Sequence, residues 1–157
     1  MFVDGVNFAG EVPSMTLPKL TTKTDEYRGG GMAGPVEMDQ GLEKMEASFV
    51  TKGVRRESLK NFGLADGTAF NATFRGAFKG LKGAVTAVVA TLRGRLKEVD
   101  MGDWKAGDAA EIKHAIAVTY YKLEIDGRLM YEIDMVAGIQ VIDGKDQLLE
   151  VRNALGL

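Results

Sequence analysis

Three long runs with strand character lie between Ala84 and Met135, and they leave the chain few alternatives to an antiparallel sheet. In the first, residues 84–99, Leu92, Gly94 and Leu96 alternate with Arg93, Arg95 and Lys97, a period of two with one wet face. The second covers residues 112–125. In the third, Leu129, Tyr131, Ile133 and Met135 alternate with Met130, Glu132, Asp134 and Val136. Asp126-Gly127 joins the second run to the third. Asp-Gly admits the positive φ that a two-residue hairpin turn demands, so these two runs are predicted to pair.

The flanking segments read as edges and covers. Phe2-Val3-Asp4-Gly5-Val6-Asn7-Phe8 repeats the Asp-Gly hairpin signal, and Met15 to Pro18 continues as strand until Pro18, which has no N–H to give a ladder. Residues 42–51 predict a strand with Met45, Ala47 and Phe49 on one face and Lys44, Glu46 and Ser48 on the other. Residues 54–62 predict a helix on which Leu59 and Phe62 share a face and Gly63 is the stop. Phe70, Ala72, Phe74, Gly76 and Phe78 alternate with Asn71, Thr73, Arg75, Ala77 and Lys79, a half-buried strand. A polar loop with the single tryptophan, Trp104, fills 101–108. Residues 146–155 suit a short C-terminal helix with Asp146 as cap and Leu148, Val151 and Leu155 as its stripe. Residues 19–35, Thr-rich and then glycine-dense, predict a projecting loop. The fold class is mainly β, a sandwich or barrel of antiparallel strands with one or two short flanking helices, in one domain spanning 1–157.

Composition removes several kinds of chemistry. The absence of cysteine excludes disulfides, thiol catalysis and thiolate metal sites. A net charge of -2 gives no reason to expect a general nucleic-acid binder. No apolar run has the length of a membrane span and no secretory signal opens the chain, so folding in a cytoplasm is expected. His114, the only histidine, has no ligand or base partner at a useful spacing, and a structural or solvent-facing role outweighs a catalytic one. Gly29-Gly30-Gly31 lacks the Lys-Ser/Thr and the following helix of a phosphate loop, and reads as a tight turn. Asp100, Asp103, Asp108 and Glu111 lack the ligand order of a calcium loop. The Arg93, Arg95, Lys97 row carries no interleaved aromatics, so pairing with carboxylates outweighs phosphate binding, with Glu124, Asp126, Glu132 and Asp134 as the nearest in sequence. Neither a catalytic group nor a cofactor or metal site is expected.

Three stretches carry a resemblance. They are Thr16-Leu17-Pro18-Lys19-Leu20-Thr21 leading to Glu26-Tyr27-Arg28-Gly29-Gly30-Gly31-Met32, then Leu92-Arg93-Gly94-Arg95-Leu96-Lys97-Glu98-Val99-Asp100, and Tyr120-Tyr121-Lys122-Leu123-Glu124-Ile125-Asp126-Gly127 through Tyr131-Glu132-Ile133-Asp134-Met135 to Asn153-Ala154-Leu155-Gly156-Leu157. In this order they resemble the major tail tube proteins of contractile-tailed phages, the FII family, which are also similar to R-type bacteriocin tube proteins. Members of that family usually carry a short basic segment ahead of the Phe-Val-Asp-Gly hairpin, whereas this chain starts at Met1-Phe2. Contacts of such a segment are not carried over.

The resemblance implies a sandwich-like tube fold similar to the hemolysin-coregulated protein of type VI secretion. It also implies hexameric rings stacked into the hollow inner tube of a tail, a virion component assembled in the bacterial host cytoplasm. The implied partners are further copies of the chain, the tail sheath, the tape measure and the baseplate, with DNA passing through the lumen without specific binding. An R-type bacteriocin tube or a type VI-like secretion tube is the alternative, and a small ligand-binding β-barrel a more distant one. Three expectations follow for the assembly. The long strands of 84–135 supply the sheet that pairs across subunits. The Arg93, Arg95, Lys97 row stays out of an open lumen. Leu17, Pro18, Lys19, Leu20, Tyr27, Arg28, Gly29, Gly30, Gly31 and Met32 make the contact between rings.

Overall fold

The computed structural model describes residues 1–64 and 70–156. In chain order its elements are β1 (Phe2–Val3), β2 (Val6–Asn7), β3 (Ser14–Thr16), β4 (Thr22–Tyr27), β5 (Val36–Leu42), β6 (Met45–Lys52), α1 (Arg56–Leu59), β7 (Phe70–Lys79), β8 (Val85–Asp100), β9 (Glu111–Ile125), β10 (Arg128–Asp134), β11 (Ile139–Ile142), β12 (Lys145–Asp146) and α2 (Leu149–Leu155). The fold is mainly β and antiparallel, sandwich-like, with two short helices.

Strand β9 organises it. Along one edge it pairs with β8. The other edge is divided: β6 takes Glu111 to Val118 and β10 takes Tyr120 to Ile125. One branch runs β12-β11-β10-β9-β8-β7-β1-β2, and the other leaves β9 through β6 to β3. Register shifts at Arg93/Gly94 and Leu96/Glu98 bend β8 where the branches part, as extra residues in one strand do. The hairpin turns Asp4-Gly5, Asp126-Gly127 and Asp143-Gly144 have positive φ at both central residues, 47° and 81°, 49° and 77°, 47° and 79°. That is the turn whose twist matches the strands it joins. The third of these, at Asp143-Gly144, carries the same signal as the two read from sequence.

Both branches feed one core. Val3, Met45, Ala47, Phe49, Phe70, Ala72, Phe74, Ala90, Leu92, Leu96, Ile116, Val118, Tyr121 and Ile133 form a continuous buried cluster with Phe8. Phe49 stacks on Phe70 at 5.9 Å between centroids and meets Phe74 at 6.4 Å. The alternation in β8 is as expected: Leu92, Gly94 and Leu96 face inward, Arg93, Arg95 and Lys97 outward. At Gly94 the strands approach so closely that a Cβ would overlap the carbonyl oxygen of Ala117.

Four expectations differ from the structure. The alternation of β7 stops after Phe74, and Phe78 is 64% exposed because this end of the strand runs past the rest of the sheet. Helix α1 is shorter than predicted and buries Ser58, with Asn61 buried just beyond its end, rather than the Leu59/Phe62 face, leaving Phe62 exposed. Polar bonds set that orientation: Asn61 donates to Asp4 at 2.8 Å, and Arg55 grips Glu11 beneath the Phe8 ring. Helix α2 begins at Leu149 with Leu148, not Asp146, at its N-cap, and it likewise leaves Val151 and Leu155 exposed. It is held by Arg152, which bonds the Asp146 carboxylate and the Gly138 carbonyl, while Asp146 accepts from the Leu148 N–H. Finally, residues 19–35 are not one loop. They contribute β4 to a separate two-stranded ribbon with β5, and residues 19–21 and the tip between Tyr27 and Val36 are looped. Thr22, Thr24, Tyr27 and Val36 favour extended backbone, which draws the segment into strands.

Candidate assembly surfaces

The β4–β5 ribbon stands apart from the main sheet. Its register pairs Tyr27 with Val36, Asp25 with Met38, Glu26 with Glu37 and Thr24 with Asp39. Side chains alternate between faces, so Tyr27, Val36 and Met38 share one face with Asp25, and Glu26, Glu37 and Asp39 share the other with Thr24. Tyr27, Val36 and Met38 are all about half exposed. At the tip Met32 donates its N–H to the Gly29 carbonyl, and its sulfur accepts from the Gly29 N–H at 3.0 Å. A Cβ on Gly29 would crowd the Tyr27 hydroxyl and the Met32 sulfur, so this glycine lets the two side chains converge.

The predicted contact residues fall into two groups. Leu17 and Leu20 pack against the core of their own subunit and Pro18 is buried, so these three hold the root of the ribbon. Lys19, Tyr27, Arg28, Gly30 and Gly31 are exposed, with Gly29 and Met32 half-buried. The ribbon's ends meet at the root, where Glu43 N–H donates to Thr21 carbonyl at 2.8 Å. Val36, Met38 and the acidic face were not singled out from sequence. Their signal is a second alternation, Val36, Met38 against Glu37, Asp39, resuming beyond the glycine loop.

A second surface lies at the β7–β8 hairpin. The β9–β10 turn stops short of it, docked where Asp126 exchanges hydrogen bonds with Ala87 (2.7 and 2.8 Å). Beyond that point Phe78, Leu81 and Val85 are exposed, Leu81 entirely so. By register Arg75 and Lys79 share a face with Val85 and Phe78 lies on the other, Lys82 follows Leu81 in the turn, and from Phe70 to Lys97 the sequence contains no Asp or Glu. Strand β1 pairs only with Ala72 and Thr73 of β7, so the outer edge of β7 from Phe74 to Lys79 is open among the described residues.

The long strands themselves present less. Both edges of β9 are taken within the subunit, and β8 is flanked on both sides from Val88 to Gly94. Pairing across subunits by the strands of 84–135 is thereby limited: among the described residues β9 has no free edge, and β8 has a strand on one side only from Arg95 to Asp100, where Phe62 makes a single bridge to Leu96. Other open edges among the described residues belong to shorter pieces: β2, β3, β12, the end of β7 and the ribbon.

Two side chains of the basic row, Arg93 and Lys97, are engaged, though not with the carboxylates nearest in sequence, and Arg95 is exposed. The Arg93 guanidinium lies 4.0 Å from the Tyr120 ring centroid, and Tyr120 donates its hydroxyl to Glu132 at 2.8 Å. Lys97 pairs with Glu46 at 2.7 Å, and together with Lys44 it holds that carboxyl below the usual range. Glu124 pairs with Lys122, Asp126 bonds Ala87, and Asp134 accepts from the Val136 and Ala137 N–H groups. The shift at Arg93/Gly94 sets this register, which sequence distance does not reveal.

His114 is in the core. It stacks on Phe49 with centroids 4.4 Å apart, and neither ring nitrogen has a hydrogen-bond partner. Burial pushes its pKa down, and the neighbouring backbone of Ile112 and Phe49 opposes this more weakly. Asp100, Asp103, Asp108 and Glu111 border an open depression interspersed with Lys52, Lys105 and Lys113. Among the described residues no group of three or more His, Asp or Glu is arranged to hold a metal ion. Nor is any helix there long and apolar enough to cross a membrane.

The family described as Phage tail tube protein FII matches residues 1–156. The chain is 40% identical over 160 residues to the major tail tube protein of Serratia phage KSP20, covering all of this chain and 92% of that protein. It is 34% identical over 161 residues to the tail tube protein of Escherichia phage P2, covering all of this chain and 94% of that protein.

Proposed function

This chain belongs to the phage tail tube protein FII family, a structural component of the virion tail, and from that premise we propose that it stacks as hexameric rings into the inner tube of a contractile tail, the conduit for DNA during ejection. Its partners in this reading are further copies of itself, the sheath around it, the tape measure within and the baseplate below, all assembled in the host cytoplasm. Such a role requires no catalytic centre and no cofactor. It requires a rigid body with surfaces that only another chain can complete.

The observation that carries the reading is the ribbon. An isolated two-stranded hairpin is marginal in water, and this one adds Glu26 directly opposite Glu37, a like-charge pair that opposes pairing. Its exposed Tyr27, Val36 and Met38 have the composition that interface cores favour. In this reading a neighbouring ring is the cover. In this assembly the ribbon is the ring-to-ring element, with Tyr27, Arg28, Met32 and the glycine tip as contacts and Leu17, Pro18 and Leu20 as its fixed root. The Arg93, Arg95, Lys97 row, with Arg93 held by Tyr120 and Lys97 by Glu46, stays out of the open lumen, where each phosphate contact would retard DNA.

The test is electron microscopy of the purified protein beside a variant in which residues 22–42 are replaced by a short glycine linker. Thr21 and Glu43 are already hydrogen-bonded neighbours, so the excision leaves the root closed. Wild type should form six-fold tubes, and the variant a folded subunit by circular dichroism that makes no tubes. Normal tubes from the excised protein would overturn the ribbon's role.

A further inference from the structure

We infer that the ribbon of one copy docks on the β7–β8 hairpin of a neighbouring copy, so that each subunit carries both halves of the contact. This rests on the tube reading and names the surface that receives the ribbon.

The two surfaces match in three respects. Each has two unlike faces: on the ribbon Tyr27, Val36 and Met38 lie opposite Glu26, Glu37 and Asp39, and on the hairpin Phe78 lies opposite Arg75, Lys79 and Val85, with Leu81 exposed in the turn, so strand addition edge to edge continues both faces at once. Their charges are opposite. The ribbon carries Asp25, Glu26, Glu37 and Asp39 against Lys23 and Arg28. The hairpin carries Arg75, Lys79 and Lys82 with no acid of its own, and the Asp126 carboxylate at its base accepts from the Ala87 N–H. Both also have open backbone edges: β4 and β5 pair only with each other, and β7 is open from Phe74 to Lys79. An exposed edge is a template for strand addition, and opposite charge fixes which strand is added.

The match also explains why each surface is tolerated. The Glu26/Glu37 opposition weakens the ribbon alone, and two cations beside it relieve that opposition. A hairpin ending in Phe78, Leu81 and Val85 is an association liability unless covered. The ribbon's acids repel another ribbon, and the hairpin's cations repel another hairpin, so each favours the other over its own kind.

The decisive experiment is a charge exchange. One variant carries Lys79→Glu and Lys82→Glu, a second carries Glu26→Lys and Glu37→Lys, and a third carries all four. Sedimentation and negative-stain microscopy read the tube yield, with circular dichroism as folding control. Each two-site variant alone should lose tubes by about tenfold or more, since like charges face each other across the contact. The four-site variant should regain them. So should an equal mixture of the two-site variants, in which each acidic surface finds a basic one on the other protein. Normal tubes from either two-site variant, or no recovery in both the four-site protein and the mixture, would overturn the pairing while leaving the tube reading intact. Absence of rings and tubes from wild type would overturn both. Recovery only when another tail component is added would place the ribbon on that component instead.

Discussion

The imidazole of His114 lies flat on the ring of Phe49, with centroids 4.4 Å apart and planes 1° from parallel. The stack joins β9 to β6 at the branch of the sheet where only β3 lies beyond. Both ring nitrogens are buried without partners, so this histidine is accommodated as a flat apolar group.

A pH dependence follows, with a definite sign. Burial holds the folded pKa of His114 below its ordinary value, so the unfolded chain binds more protons. Stability is then full above the unfolded pKa near 6.5 and falls as pH drops below it, at up to about 1.4 kcal/mol per pH unit. The loss levels off once pH passes the folded pKa. Chemical denaturation between pH 8 and about pH 5 should show this fall, and His114→Leu should flatten it. The carboxylates Glu11, Glu46 and Asp146, all held low by cations, act only below that window. An unchanged slope in His114→Leu would assign the acid sensitivity elsewhere.

Gly94 tests the bend in β8. Its absent side chain would meet the Ala117 carbonyl, a backbone atom that cannot rotate aside. Gly94→Ala should cost about 3 kcal/mol or more, at or beyond the upper end for overpacking. Gly76→Ala is the control, because the nearest atom there is the movable Phe78 ring at 3.3 Å. Thermal melts should show a large loss for the first and a small change for the second. Equal melting temperatures would mean that the strands do not approach as described.

The C-terminal helix should be the most easily detached element of the main body. Its apolar side chains Leu149, Val151 and Leu155 are exposed, and Arg152 does the holding through Asp146 and Gly138. Arg152→Ala should make residues 149–156 susceptible to limited proteolysis while leaving the melting temperature of the sheet nearly unchanged. Lowering the pH through the depressed pKa of Asp146 should mimic the substitution, because protonation removes the ion pair. Cleavage elsewhere first would show that another segment is looser.

What the sequence disclosed depended on where each partner lies. Leu92, Gly94 and Leu96 were legible because one-sided burial imposes a period of two. The Asp-Gly turns were legible because positive φ selects their residues. The same alternation misled at Phe78, since it continues beyond the point where anything covers it. The buried face of α1 was hidden because its determinants, Asp4 and Glu11, are remote in sequence. The ribbon read as a loop for a related reason. Its strands contain too little apolar surface to signal a core, and their apolar face is left uncovered by the subunit that carries it.

That exposure leads to a prediction about motion. The ribbon is tied to the body at its root, by Leu17, Pro18, Leu20 and the Thr21–Glu43 hydrogen bond, but not along its length. Elements with few buried apolar contacts and exposed backbone bonds open at low free-energy cost. Amides of β4 and β5 should therefore exchange with solvent far faster than those of β9, which has both edges paired. In assembled tubes the ribbon amides should become protected, and those of Phe74 to Lys79 should follow if the β7 edge receives a strand. Hydrogen–deuterium exchange on dissociated subunits and on tubes separates the possibilities. Protection of both segments supports the edge contact, protection of the ribbon alone places its cover elsewhere, and a ribbon already protected in the free subunit would show that it needs no cover.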